Sequence, residues 1–218
     1  MRCFPCLIVF SLVVTVWEVQ AQTSRADSAA SYIYRGNDWL TKGELDLAIG
    51  DYNLAIAFDP RSSVAFINRG RIWELKGDLD RALADYSRAI ELDHQCDKAF
   101  YNRGNIRFAK AEMKSAIADF TRAIEINPRY AAAYNNRGGV ELELGNVDRA
   151  IADFDQAIKL NSRMARAYLN RGVARLLQGQ EDASQRDFAR CLRLKPDLQP
   201  VIEQRTRAVK EWRKESDR

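Results

Sequence analysis

The chain is poor in the residues that build catalytic and metal centres. Its 218 residues include one histidine, His94, and four cysteines, Cys3, Cys6, Cys96 and Cys191. A lone histidine and no Cys/His metal spacing leave no zinc-type site, and no phosphate-cradling glycine loop occurs. Catalysis, a cofactor, a metal and a small-molecule substrate are therefore not expected. Charge of one sign is scarce too: 34 Lys and Arg stand against 30 Asp and Glu, a net +4. The charges alternate along the chain and do not cluster, which argues against a nucleic-acid partner.

Long apolar runs are missing, with one exception. Cys3 to Trp17 is nearly unbroken, follows Met1-Arg2 and leads into Val19-Gln20-Ala21. At about 15 residues it falls short of the ~20 that cross a bilayer. The pattern predicts a secretory signal peptide over residues 1–21, cleaved after Ala21, and an exported protein, periplasmic or secreted. The alternative is an uncleaved membrane anchor formed by residues 3–19, the one circumstance in which a membrane association is expected. Residues 22–28 form a short linker.

What the chain has in abundance is periodicity. Gly36, Gly70, Gly104, Gly138 and Gly172 lie 34 residues apart, as do Asp51, Asp85, Asp119, Asp153 and Asp187. A fixed period of this size marks a repeat array. The repeats are 29–62, 63–96, 97–130, 131–164 and 165–198. Each carries two stretches with apolar residues at helical spacing, such as Leu79, Ala82, Leu83, Tyr86, Ala89 and Ile90. Gly77-Asp78 and its equivalents stop one helix and start the next. Pro60, Pro128 and Pro196 close three repeats, with His94 and Ser162 in that place in the others.

Glycine inside a helix costs about 0.5–1 kcal/mol against alanine. Five such glycines at one register position imply a close approach between the paired helices. The aromatics Tyr52, Tyr86, Phe120, Phe154 and Phe188 are expected to fill the space between adjacent hairpins, and Tyr32, Phe66, Phe100, Tyr134 and Tyr168 to do so from the first helices. Cys96 and Cys191 lie almost three repeats apart, too far to bridge where each repeat touches only its neighbours. Cys191 takes an alanine position and is expected to be small and buried.

In repeat one the order is Tyr32, Gly36, Gly43, Ala48, Tyr52, Ala55 and Pro60. This pattern resembles the tetratricopeptide repeat family. It departs at Ala111 in repeat three and at Ser184 and Cys191 in repeat five. The resemblance implies an all-α, right-handed superhelical solenoid of antiparallel helix pairs whose first helices line a concave face. Residues 199–218, with Val201, Ile202, Val209 and Trp212 on one face, are expected to form a capping helix and tail that cover the last repeat. Its cationic residues, among them Arg205 and Arg213, are expected to be a solvated face.

Three polar rows accompany the array. Arg35, Arg69, Arg103, Arg137 and Arg171 precede the glycines, and the aspartate row has a member in every repeat. Arginine's planar fork suits a partly buried carboxylate, so the two rows predict a ladder of ion pairs within or between repeats. The third row, Asn68, Asn102, Asn136 and Asn170, offers a donor and an acceptor at each step. It resembles the asparagine ladder of O-linked N-acetylglucosamine transferases, which implies contact with the backbone of an extended peptide. No transferase domain accompanies it. The alternative is that these amides bond neighbouring helices.

Chaperone-binding members of the family capture an acidic C-terminus with a carboxylate clamp. Its positions correspond to Ile33, Asn37, Asn68, Lys98 and Asn102, or to Tyr101, Asn105, Asn136, Arg166 and Asn170. Each set lacks the first lysine and the last basic residue. Arg71 and Phe108 belong to the same predicted groove. The expected function is a non-catalytic scaffold for a protein or peptide partner, with homo-oligomeric assembly and clamp-type binding as alternatives.

Overall fold

The computed structural model describes residues 27–216. Residues 1–21, expected from the sequence to be a signal peptide, lie outside the described residues. The helix α1, 27–41, already includes the last two residues of the expected linker. The chain divides into two compact units, one up to His94 and one from Gln95. Among the described residues there is no strand.

In the first unit α1 is followed by α2 (Leu45–Phe58), α3 (Ser63–Leu75) and α4 (Leu79–Leu92). The second unit contains α5 (Asp97–Ala109), α6 (Met113–Ile126), α7 (Ala131–Glu143), α8 (Val147–Leu160), α9 (Ala165–Leu177) and α10 (Glu181–Leu194). A short 3-10 turn (Pro196–Leu198) then leads into α11 (Gln199–Ser216). Helices pack in successive antiparallel pairs, α3 on α4, α5 on α6, α7 on α8 and α9 on α10. The Asp78 side chain caps α4 by accepting from the Arg81 amide at 3.0 Å, as an acid before a helix should. His94 is an exposed turn residue.

Each hairpin turns at one left-handed residue. Gly43, Gly77, Gly145 and Gly179 have φ of 79°, 79°, 78° and 77°, and Ala111 is forced to 60° in the same place. An L-residue in that conformation costs about 1–2 kcal/mol. Ala111→Gly is therefore expected to stabilise the protein by about 1 kcal/mol, less than the full relief because glycine also loosens the unfolded chain. Chemical denaturation checks this, and an unchanged or lowered midpoint would contradict it.

The buried glycines explain themselves. A Cβ on Gly36 would lie 2.7 Å from the Tyr52 ring, on Gly70 3.0 Å from Tyr86, and on Gly104 2.8 Å from Phe120. On Gly172 it would lie 2.5 Å from Phe188. The second-helix aromatic thus seats on the glycine of its own hairpin, not solely between hairpins as the periodicity suggested. It also reaches onward: Tyr52 shares a core cluster with Ile72, Phe120 with Val140, and Phe154 with Ala174. Alanines 48, 82, 116 and 150 are fully buried beside them.

The Arg–Asp ladder forms in every repeat, always within one hairpin. Arg35 Nε and Nη2 donate to Asp51 Oδ2 and Oδ1 at 2.7 and 2.6 Å. The same fork joins Arg69 to Asp85, Arg103 to Asp119, Arg137 to Asp153 and Arg171 to Asp187. All five carboxylates are buried. Two further features escaped the sequence reading. Each ladder guanidinium lies over the aromatic three residues earlier, 5.1 Å for Arg35 on Tyr32 and 5.6 Å for Arg171 on Tyr168. The first-helix aromatics are thus floors for the arginines as well as core. Some arginines also extend Nη1 to the preceding repeat: Arg69 to Asn53 at 2.7 Å, Arg137 to Thr121 at 3.1 Å and Arg171 to Asp155 at 2.6 Å.

Hydrogen bonds from Arg35 outweigh the burial of Asp51 and hold its carboxyl below the usual carboxylate range. A carboxyl whose folded pKa is depressed stabilises the fold above its unfolded pKa of about 4 and stops doing so as pH falls through the folded value. Melting temperature is expected to fall as pH drops below about 4, and Asp51→Asn is expected to flatten part of that slope. An unchanged slope would contradict the pairing.

Cys96 and Cys191 are unbridged. Cys191 is fully buried, and burial pushes its thiol up, as expected of a residue in an alanine place. The helix α11 and the turn before it cap α9: Leu198 of the turn and Ile202 and Val209 of α11 join Tyr168, Leu169, Val173, Leu176 and Cys191 in one cluster.

Candidate functional site

In the first unit, Tyr52 in α2 and Asn68 in α3 converge on one amide of α1. Asn37 Oδ1 accepts from the Tyr52 hydroxyl at 2.8 Å and from Asn68 Nδ2 at 3.2 Å. Arg71 is exposed one turn beyond Asn68. In the second unit the amides form a relay across three first helices. Asn170 Nδ2 in α9 donates to Asn135 Oδ1 in α7 at 3.2 Å, and Asn135 Nδ2 to Asn136 Oδ1 at 3.0 Å. Asn136 Nδ2 in turn donates to Asn105 Oδ1 at 2.8 Å and to the Tyr101 hydroxyl at 3.1 Å, both in α5.

Three members of the asparagine row, Asn68, Asn136 and Asn170, therefore bond neighbouring helices, with capacity left over. Asn136 and Asn170 are half-buried, and Asn170 Oδ1 has no protein donor among the described residues. The Asn102 side chain makes no hydrogen bond among them. Lys98 and Arg166, the cations of the two clamp-like sets, are both exposed. In the second set Tyr101 takes the place of the clamp's first lysine and spends its hydroxyl on Asn136. Asn135 was missed by sequence reasoning. Its register mates are Ile33, Ile67, Tyr101 and Leu169, so no row announced it; the only signal was the consecutive pair Asn135-Asn136.

These amides border a cleft of about 470 Å³ in the second unit, formed by α5, α7, α9 and α11. Asn136, Asn170 and Arg166 stand beside an apolar floor that includes Phe108, Leu142 and Leu169. Polar groups placed singly over apolar surface suit recognition of a chain segment, whose backbone asks for amide partners and whose side chains ask for apolar contact. Among the described residues no three or more His, Cys, Asp or Glu side chains are grouped as a metal would need, and no helix is long and apolar enough to cross a membrane.

Family models described as tetratricopeptide or TPR repeat match residues 75–111 and 138–179, 97–130, 120–152 and 165–198. Among solved structures, the crystal structure of MamA aligns with a TM-score of 0.68 at 28% identity, covering 74% of this chain and 95% of that one. YrrB, described as a TPR protein with an unusual peptide-binding site, aligns at 0.65 and 21% identity over 82% of this chain and 92% of its own. The first TPR domain of Spaghetti (RPAP3), bound to an HSP90 peptide, aligns at 0.54 and 27% identity over 55% of this chain and 95% of its own. No curated protein matches the sequence closely. With matched repeats running from residue 75 to 198 and the helix pairs laid out as above, the chain belongs to the tetratricopeptide repeat family, an all-α repeat solenoid of the protein-interaction class.

Proposed function

We propose that this chain is an exported, non-catalytic scaffold that binds an extended peptide or protein segment along the face lined by its first helices. The observation that carries the reading is the amide relay Asn170–Asn135–Asn136–Asn105, in which Asn135 is buried and the other three are half-buried, beside a cleft with an apolar floor and with the Asn170 acceptor unspent. Amides held by neighbours are oriented before a ligand arrives, so less side-chain entropy is lost on binding. The peptide held by the Spaghetti repeat domain supports the same reading by analogy of fold. The carboxylate-clamp alternative is less well supported, because Tyr101 and Asn170 stand where that arrangement asks for charge.

The test is affinity capture of partners by the full chain beside the double variant Asn102→Ala, Asn136→Ala. Circular dichroism should show unchanged helicity. Partners lost with the variant are the expected result. Partners retained in full would move recognition to another face or to the array ends.

A further inference from the structure

We propose that α11 is part of the binding site as well as a cap, and that the cleft it walls selects segments carrying acidic side chains beside apolar ones. This rests on the peptide-binding reading above and narrows its ligand.

Arg205 stands 34 residues after Arg171 and so continues the ladder row into α11. The five earlier members are consumed by bidentate pairs with buried aspartates. Arg205 makes no hydrogen bond or ion pair among the described residues; instead it borders the cleft that holds Asn136 and Asn170. Arg166, from the first turn of α9, lines the same cleft and is likewise unpaired among the described residues. The sequence reading placed the α11 cations on a solvated face. That holds for Arg205 as for Lys210, both of them exposed, but Arg205 also borders the cleft.

The geometry of α11 explains why. It packs on α9 through Ile202 and Val209, with Leu198 of the preceding 3-10 turn in the same cluster. That leaves Val201 and Arg205, one helical turn apart, to border the cleft opposite α7. One carboxylate, Glu143, shares the lining with the two guanidiniums, so the cleft keeps a net positive character. Apolar area at Phe108, Leu142, Leu169 and Val201 supplies the rest. A neutral apolar segment would leave both guanidiniums without partners. A basic segment would meet them with like charge. An acidic side chain gains charge-assisted hydrogen bonds from the arginine fork.

The probes are two fluorescein-labelled octapeptides, one alternating leucine and glutamate, the other leucine and glutamine, titrated into the full chain by fluorescence anisotropy. The glutamate peptide is expected to bind about tenfold tighter, the scale of one or two charge-assisted bonds. The gap should shrink with added salt. Arg166→Gln, Arg205→Gln is expected to erase the gap between the two peptides. Its melting temperature should not move, because neither side chain has a partner to lose. Equal binding of both peptides to the native chain, or a gap that survives the double variant, would overturn the proposal. If the glutamine peptide binds and is lost in Asn136→Ala while the glutamate peptide gains nothing, the groove reading stands and this inference fails. If neither peptide binds, both fail.

Discussion

Asp119→Ala is expected to destabilise the protein by about 3 kcal/mol, more than any change at its surface. Two arginines converge on this carboxylate: Arg103 through Nε and Nη2 at 2.9 and 2.7 Å, and Arg107 through Nη1 at 2.8 Å. The Asp119 side chain is 4% exposed, and the arginines keep 15% and 24%. Breaking a buried pair by removing one partner costs about 3–5 kcal/mol, since the survivor is left charged and poorly solvated. The partial exposure of both arginines lets water relieve some of that, which selects the lower end. For a chain of this length the loss is about 6–12 °C in Tm. Asp46→Ala is the control: its pair with Lys76 is as short, 2.6 Å, but Asp46 is 84% exposed, so about 0.5 kcal/mol or less is expected. Thermal melts of the two variants side by side decide the point. Equal losses would mean that the ladder adds nothing beyond surface charge.

Gly138→Ala and Gly139→Ala should change stability in opposite directions, although the residues are adjacent in α7. A Cβ on Gly138 would meet Phe154 at 2.8 Å, with the Ala150 carbonyl and the Asp153 Cβ at 3.1 Å behind it. Phe154 is fully buried and has nowhere to swing. Overpacking of this kind costs about 3 kcal/mol at its upper end, and the gain in helix propensity returns about 1, leaving a net loss of about 2 kcal/mol. On Gly139 the same methyl meets nothing within 4 Å, so the propensity gain of up to about 1 kcal/mol stands alone. Gly50, also helical and open, should behave like Gly139. Denaturant midpoints check the pair. A Gly138 variant as stable as the parent would show that the aromatic seat is looser than the distances state.

The residues that repeat were the ones the sequence could explain. Gly36 and its equivalents demanded a close approach, and the structure names the partner as the second-helix aromatic. The arginine and aspartate rows, complete in every repeat, announced a ladder and found it. Their spacing could not say that Nη1 would reach back a repeat or that Tyr32 and its equivalents would lie beneath the guanidiniums. Those contacts depend on rotamers, which periodicity does not encode. The cleft was the hardest part to read because it is built where the register lapses. Asn135 belongs to no polar row. Arg205 belongs to one, but its role there differs from that of its five predecessors, because α11 stacks on α9 and presents that side to the cleft.

The central claim is that recognition occurs on the face lined by the first helices. Site-specific photo-crosslinking tests it most directly. Benzoylphenylalanine is placed at Gly139, which lines the cleft with open space at its Cβ, and separately at Ala152, exposed on α8. Partners captured by the full chain are then irradiated. Crosslinks from position 139 with none from 152 are the predicted result. Crosslinks from 152 alone would contradict the account and place recognition on the outer helices.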